Sequence, residues 1–156
     1  ANCSESFIDG ELISFSRRLL PEENPAHLRS FWTSAHAERQ RLSDFQIKRE
    51  TDIQDSHGAI QADFANRYLG GGVLHGAGGQ EEYRFLMSPE CIPGCLFVER
   101  MLPTEAVYIV GAVQYSSVSG WHWTAAVESE DRLPGLEKQS LDQHRRRDVH
   151  IVAFDA

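Results

Sequence analysis

Two kinds of apolar pattern succeed one another along the chain. Near the start, LISFSRRLL (12–20) sets Leu12, Phe15, Leu19 and Leu20 at helical spacing before Pro21, which predicts a helix that ends at the proline. HLRSFWTSAHAERQRL (27–42) carries a second short helical stripe through Leu28, Phe31 and Trp32, after which polar residues dominate, and 48–58 reads as a charged approach loop. From Ala59 onward the apolar runs become short and dense. They predict strands over 60–65, 106–111 and 149–154, with a weaker one over 122–127. The runs at 106–111 and 149–154 are almost unbroken, which suits interior strands of an α/β sheet better than an alternating sandwich. Helices are predicted between the strands, over 80–87 and 88–101. Ser88-Pro89-Glu90 forms a helix start, with a capping serine, a proline at the first position and a carboxylate in the first turn. Pro93-Gly94 is expected to kink or shorten that second helix. The organisation read from this pattern is an N-terminal accessory helical and loop segment over 1–57, wrapped on a core region over 58–156.

Composition narrows the class. A chain of 156 residues, 41% hydrophobic and 10% aromatic, can bury the core of one ordinary domain. No apolar run approaches a bilayer span, and Glu5, Asp9 and Glu11 interrupt the start before a secretory leader can develop. The expectation is a soluble intracellular protein with no membrane partner. A net charge of −8 argues against bulk attraction to nucleic acid, so no direct DNA binding is expected. Cys3, Cys91 and Cys95 leave one thiol over in any bridge scheme, and His75 does not complete a zinc set with them, so inert thiols and no metal or cofactor are expected.

The candidate chemistry lies between 63 and 115. Residues 70–79 are dense in glycine, with Gly70, Gly71 and Gly72 in a row. Such a stretch can take positive φ and turn successive amides toward an anion, or it can be a flexible surface turn. It lacks the Gly-Lys-Ser/Thr of a Walker loop. Gln80, Glu81 and Glu82 follow at once, on the first turn of a predicted helix. Neighbouring carboxylates there are favoured by the helix dipole, and burial or mutual repulsion raises the pKa of at least one, which suits proton donation to a glycosidic oxygen. A capping carboxylate beside an exposed one is the alternative. Asp63 and Asn66, at the end of the first strand, either bracket a ribose or adenine edge or serve as cap and turn residues. Gln114 and Tyr115 follow a predicted interior strand, at the carboxyl end where ligands of open α/β sheets gather, and the tyrosine either stacks on a ligand or fills the core. Arg84 reads as a partner of a carboxylate. The run Arg145 to Arg147 reads as solvated surface or as a phosphate contact.

Asp63-Phe64-Ala65-Asn66, then Gly70-Gly71-Gly72, then Gln80-Glu81-Glu82 and Arg84-Phe85 resemble the signature of the poly(ADP-ribose) glycohydrolase family, with seven residues between the glycines and Gln80. The resemblance continues through FLMSPE, Gln114-Tyr115-Ser116 and HIVAFDA, and covers roughly 58–156. It implies a macrodomain-like mixed α/β sheet flanked by helices, incomplete here at the C-terminus. It also implies cleavage of ribose–ribose O-glycosidic bonds in poly(ADP-ribose) to release ADP-ribose, without a cofactor. By resemblance Glu82 is the acid and Glu81 positions a ribose hydroxyl. Asp63, Asn66 and Gln80 contribute to the pocket, Gly70, Gly71 and Gly72 lie against ribose and diphosphate, and Gln114 and Tyr115 contact the ligand. Poly(ADP-ribose), ADP-ribose and ADP-ribosylated proteins are the implied partners, in a nuclear or cytoplasmic setting tied to the DNA damage response. An ADP-ribose-binding module without turnover, or an inactive truncated homologue, is the alternative.

Overall fold

The structure, a computed structural model, describes residues 10–19, 29–30, 33, 44–49, 51–56, 58–120, 124–128 and 140–156. A four-stranded sheet forms its centre, in the order β1-β3-β6-β2. β1 (Ser14–Leu19) runs antiparallel to β3 (Glu105–Val110), β3 antiparallel to β6 (His150–Asp155), and β6 parallel to β2 (Ile60–Ala65). The sheet is mixed and helices pack on it, as the sequence led one to expect. A two-stranded ribbon pairs β4 (Ser117–Ser119) with β5 (Ala126–Glu128). That ribbon replaces the weaker strand placed over 122–127, of which 122–123 lie outside the described residues. The helical stripe at 27–42 also falls almost wholly outside them.

The first predicted helix is a strand. Over 12–20 the helical spacing of Leu12, Phe15 and Leu19 competes with an alternation in which Ile13, Phe15 and Arg17 share one face. The six-residue ladder with β3 decides for alternation: Phe15 faces Ile109, and Arg17 faces Val107. Ile13 and Phe15 pack against the core, while Arg17 reaches past it to the Glu105 carboxylate at 2.6 Å. The segment read as an accessory wrap thus supplies an outer strand of the sheet. It is tied further by Arg147, which grips the Glu11 carboxylate, and by Arg146, which donates to Ser14 Oγ at 2.8 Å and to Asp142 at 2.7 Å. The arginine run therefore has two of its members engaged in ion pairs.

One face of the sheet carries the core. Ala65, Val107, Ile109, Ile151 and Ala153 point toward Phe85 of α1 (Gln80–Met87), with Leu69, Cys91 and Met101 closing the sides. α1 begins and ends as predicted from the sequence. Phe85 is fully buried, whereas Leu86 faces outward. The second predicted helix is broken into a 3-10 turn (Pro89–Cys91) and a single helical turn, α2 (Gly94–Phe97). Pro93 has no N–H to continue a ladder, and Gly94 lies so close to Phe15 that a Cβ would stand 2.7 Å from its ring. Ser88 precedes the turn, but its hydroxyl makes no capping bond. No helix among the described residues is long and apolar enough to cross a membrane.

Candidate active site

Three short pieces meet at the carboxyl end of β2: the Asn66–Leu69 turn, the glycine stretch 70–79, and the first turn of α1. Their meeting is organised by two carboxylates. Glu81 is only 3% exposed and accepts the Gly70 N–H at 2.5 Å on one oxygen and the Asn66 N–H at 2.9 Å on the other. Glu82 is half-buried and accepts the Gly72 N–H at 2.8 Å and the Gly79 N–H at 2.7 Å. The bond to Gly79 is one half of a capping box, the third helical residue reaching back to the cap. Four backbone donors are thus satisfied by four carboxylate oxygens.

Glycine is required where this clasp is tightest. Gly70 and Gly71 have φ of 87° and 51°, in the left-handed region. A Cβ on Gly71 would stand 2.5 Å from Glu82 Oε1 and 2.7 Å from Glu81 Oε2, and one on Gly70 would collide with Cys95 Sγ. The turn amides expected to hold an anion do so, but the anions are the protein's own. Gly71, Val73, His75 and Ala77 donate within the turn as well, to Tyr68, Gly70 and Gly72 carbonyls at 2.8–3.1 Å. Burial pushes the Glu81 carboxyl up, against the pull of the Asn66 and Gly70 amides and with a further push from Glu82.

The other residues singled out from the sequence divide into three groups. Gln80 and Asn66 stand at the clasp. The Gln80 amide pairs with the outer edge of β2 as a one-residue strand would: its oxygen accepts from Phe64 N–H at 2.9 Å and its nitrogen donates to the Ala62 carbonyl at 3.0 Å. Asn66 is exposed, and its Oδ1 accepts from Tyr68 N–H at 3.0 Å, the turn role considered for it. Asp63 is displaced from its expected place. Strand alternation turns it inward with Gln61 and Ala65, and at 0% exposure its oxygens line no surface.

Gln114 and Tyr115 lie elsewhere than the strand-end argument put them. β3 is antiparallel to β6 and β2, so its carboxyl end sits beside His150, at the amino end of β6, whereas the clasp follows the carboxyl end of β2. The chain then turns to the far end of α1, where Tyr115 N–H donates to the Met87 carbonyl at 2.8 Å. The Tyr115 hydroxyl donates to Glu90 at 2.8 Å, and the other Glu90 oxygen accepts from Val113 N–H at 2.8 Å. Burial, then the Glu90 bond, push the Tyr115 hydroxyl above its usual range. Its ring is 44% exposed and fills no core. Gln114 donates to the Ser116 carbonyl at 3.1 Å.

A cleft of about 230 Å³ opens on the far side of Gln80, between α1, the 3-10 turn Ile53–Asp55 and the β4 ribbon. Ile53, Gln54, Gln80, Tyr83, Arg84 and Val118 are among its walls. Neither glutamate lines it; Gln80 is the shared residue. Ile53 and Gln54 were not foreseen as part of a site, since a three-residue turn carries no periodicity. Arg84, expected to pair with a carboxylate, is buried without an ion pair among the described residues.

The site and the sheet define a class. Residues 31–156 match the family model described as "Poly (ADP-ribose) glycohydrolase (PARG), Macro domain fold". Curated relatives agree: the chain is 36% identical over 148 residues to poly(ADP-ribose) glycohydrolase 1 of Arabidopsis thaliana, covering 93% of this chain and 25% of that protein. It is 39% identical over 119 residues to poly(ADP-ribose) glycohydrolase 1 of Caenorhabditis elegans (74% of this chain, 15% of that protein) and 42% over 121 residues to glycohydrolase 2 of the same organism (76% and 25%). The chain belongs to the poly(ADP-ribose) glycohydrolase family and has its macro domain fold. It spans a quarter or less of the length of these three relatives.

Proposed function

We propose that this chain carries the acid-bearing part of a poly(ADP-ribose) glycohydrolase, acting on poly(ADP-ribose) and on proteins that bear it, with Glu82 as general acid. The observation that carries the reading is the clasp: two adjacent carboxylates held by four backbone amides at one strand end, in a chain of this family. Glu81, with both oxygens committed and almost no exposure, fixes the turn that presents the ribose contacts. Glu82, half-exposed, is the carboxyl that a ligand can reach. Asn66, Gly70, Gly71 and Gly72 line its approach. Gln80 joins that approach to the cleft beside Ile53 and Gln54, which would take the ADP portion. Gln114 and Tyr115 border the far end of the ligand path.

Cleavage needs a proton on the leaving ribose oxygen as its bond to the anomeric carbon breaks. A protonated Glu82 supplies it from one oxygen, and that oxygen keeps acceptor capacity for the Gly72 or Gly79 amide that holds it in place. Carboxylate charge stabilises the developing oxocarbenium ion. Water adds its hydroxyl to that carbon and returns its proton to Glu82.

A second reading, a module that holds ADP-ribose without turnover, draws on the same bonds, since both Glu82 oxygens are occupied by backbone donors. Release of ADP-ribose from polymer, measured beside calorimetric binding of ADP-ribose to the same sample, separates them. Release together with binding is expected; binding without release favours the second reading, and neither overturns both.

A further inference from the structure

An aromatic ring at the rim of the clasp has no part in the chemistry set out so far. Tyr68 lies between Asn66 and Gly70, the two residues whose amides Glu81 holds. Its own backbone is tied at both ends. The Tyr68 N–H donates to Asn66 Oδ1 at 3.0 Å, and its carbonyl accepts the Gly71 N–H at 3.0 Å. On either side, the Arg67 carbonyl accepts the Met101 N–H at 2.8 Å and Leu69 is buried in the core. Tyr68 itself is 61% exposed. Single exposed aromatics are ordinary on a protein surface. This one differs in standing on backbone that the glutamate clasp has already ordered, which lowers the cost of meeting a ligand. The turn also fixes how far it stands from the acid. Four residues closed by such a bond bring their end Cα atoms within about 7 Å, and Gly71 abuts Glu82, since a Cβ there would stand 2.5 Å from Glu82 Oε1.

We propose that Tyr68 is the stacking platform for the adenine on the leaving side of the cut, and so favours polymer over a lone ADP-ribose unit. The inference rests on the reading of Glu82 as the acid. The unit held in the pocket supplies the anomeric carbon, and the oxygen that takes the proton belongs to the ribose of an adenosine in the next unit. An adenine therefore hangs on the very sugar that Glu82 must reach. It lies outside the pocket, over the surface around the acid. A tyrosine ring one turn from Glu82 offers that base a flat apolar face, and stacking on it holds the leaving sugar beside the proton donor.

Calorimetric binding of the ADP-ribose dimer and of ADP-ribose to the same chain tests this, with Glu82→Gln present to keep the dimer uncut. The dimer is expected to bind about tenfold more tightly than ADP-ribose. Adding Tyr68→Ala should bring the dimer down to the ADP-ribose affinity and leave ADP-ribose unchanged. Tyr68→Phe, which keeps the ring, should retain the difference. Because the side chain is exposed and the turn is held through its backbone, neither substitution removes a bond of the clasp. Equal losses for both ligands mean a structural role and overturn the proposal. So do a dimer preference that survives in Tyr68→Ala or vanishes in Tyr68→Phe, a dimer that binds no better than ADP-ribose before Tyr68 is changed, and binding of neither ligand. Absence of polymer hydrolysis in the parent chain counts against the glycohydrolase reading alone, since the two affinities still decide the role of Tyr68.

Discussion

At the scale of single residues, the chemistry is concentrated in who donates to Glu81 and Glu82. Glu81 closes the strand end onto the glycine turn, Glu82 closes the turn onto its own helix, and Gly71 sits between both carboxylates with no room for a side chain. Gly71→Ala therefore places a methyl group against two carboxylate oxygens and asks a substituted residue to hold a φ of 51°. It is expected to cost about 1–3 kcal/mol of stability, read by chemical denaturation. Because both carboxylates must move, hydrolysis should fall further than stability does. The residues of this constellation were legible in the sequence as Asn66, Gly70–Gly72 and Gln80–Glu82. Their bonding was not, because a run of glycines announces close approach without saying to what, and here the nearest anions lie ten residues further along the same chain. Asp63 was misread for a simpler reason: its neighbours Phe64 and Asn66 face solvent, and only the strand register separates it from them.

At the scale of elements, α1 is the hub. Its first residue latches β2, its second and third hold the glycine turn, and Phe85 and Met87 bury its other end. Gln80→Ala would leave the Phe64 N–H and the Ala62 carbonyl without their side-chain partner at an outer strand. The expected loss is about 1–2 kcal/mol, checked by thermal unfolding, with a larger rise in amide hydrogen exchange at Phe64 than at core positions. Strands β3 and β6 were readable because their apolar runs are almost unbroken, β2 from a shorter run, and helix α1 from the carboxylates of its first turn directly after the glycines. β1 was not, since in LISFSRRLL the helical and the alternating patterns share Phe15, and only the β3 edge, ninety residues away, chooses between them. The same long-range dependence misled the reading of Tyr115. Strand direction is not written in a strand's own residues, and an antiparallel β3 delivers its carboxyl end to the other side of the sheet.

At the scale of the whole molecule, a chain with an excess of negative charge encloses a carboxylate that resists ionisation. Asp63 has its ordinary value of 3.8 when unfolded and about 7 when folded. The folded chain thus holds this proton more tightly, so the stability linked to Asp63 is complete below 3.8 and is lost as pH rises through about 7. Thermal unfolding of the parent chain should therefore show a downward contribution between pH 4 and 7.5 that is absent in Asp63→Asn, measured by calorimetry at matched ionic strength. The outer strand β1 is bound into the same body through Glu11–Arg147, Arg17–Glu105 and Arg146–Ser14. The N-terminal residues it brings with it are hence part of the sheet that supports the site.

The central claim concerns one carboxyl group. Glu82→Gln keeps the shape but exchanges one acceptor oxygen for a donor amide, so either Gly72 or Gly79 loses its partner at a cost of about 1–2 kcal/mol. The fold must be checked for that reason. With folding established by circular dichroism and ADP-ribose binding retained, release of ADP-ribose from polymer should drop by on the order of 10²-fold or more relative to the parent chain. A variant that releases ADP-ribose as fast as an active parent would contradict the account.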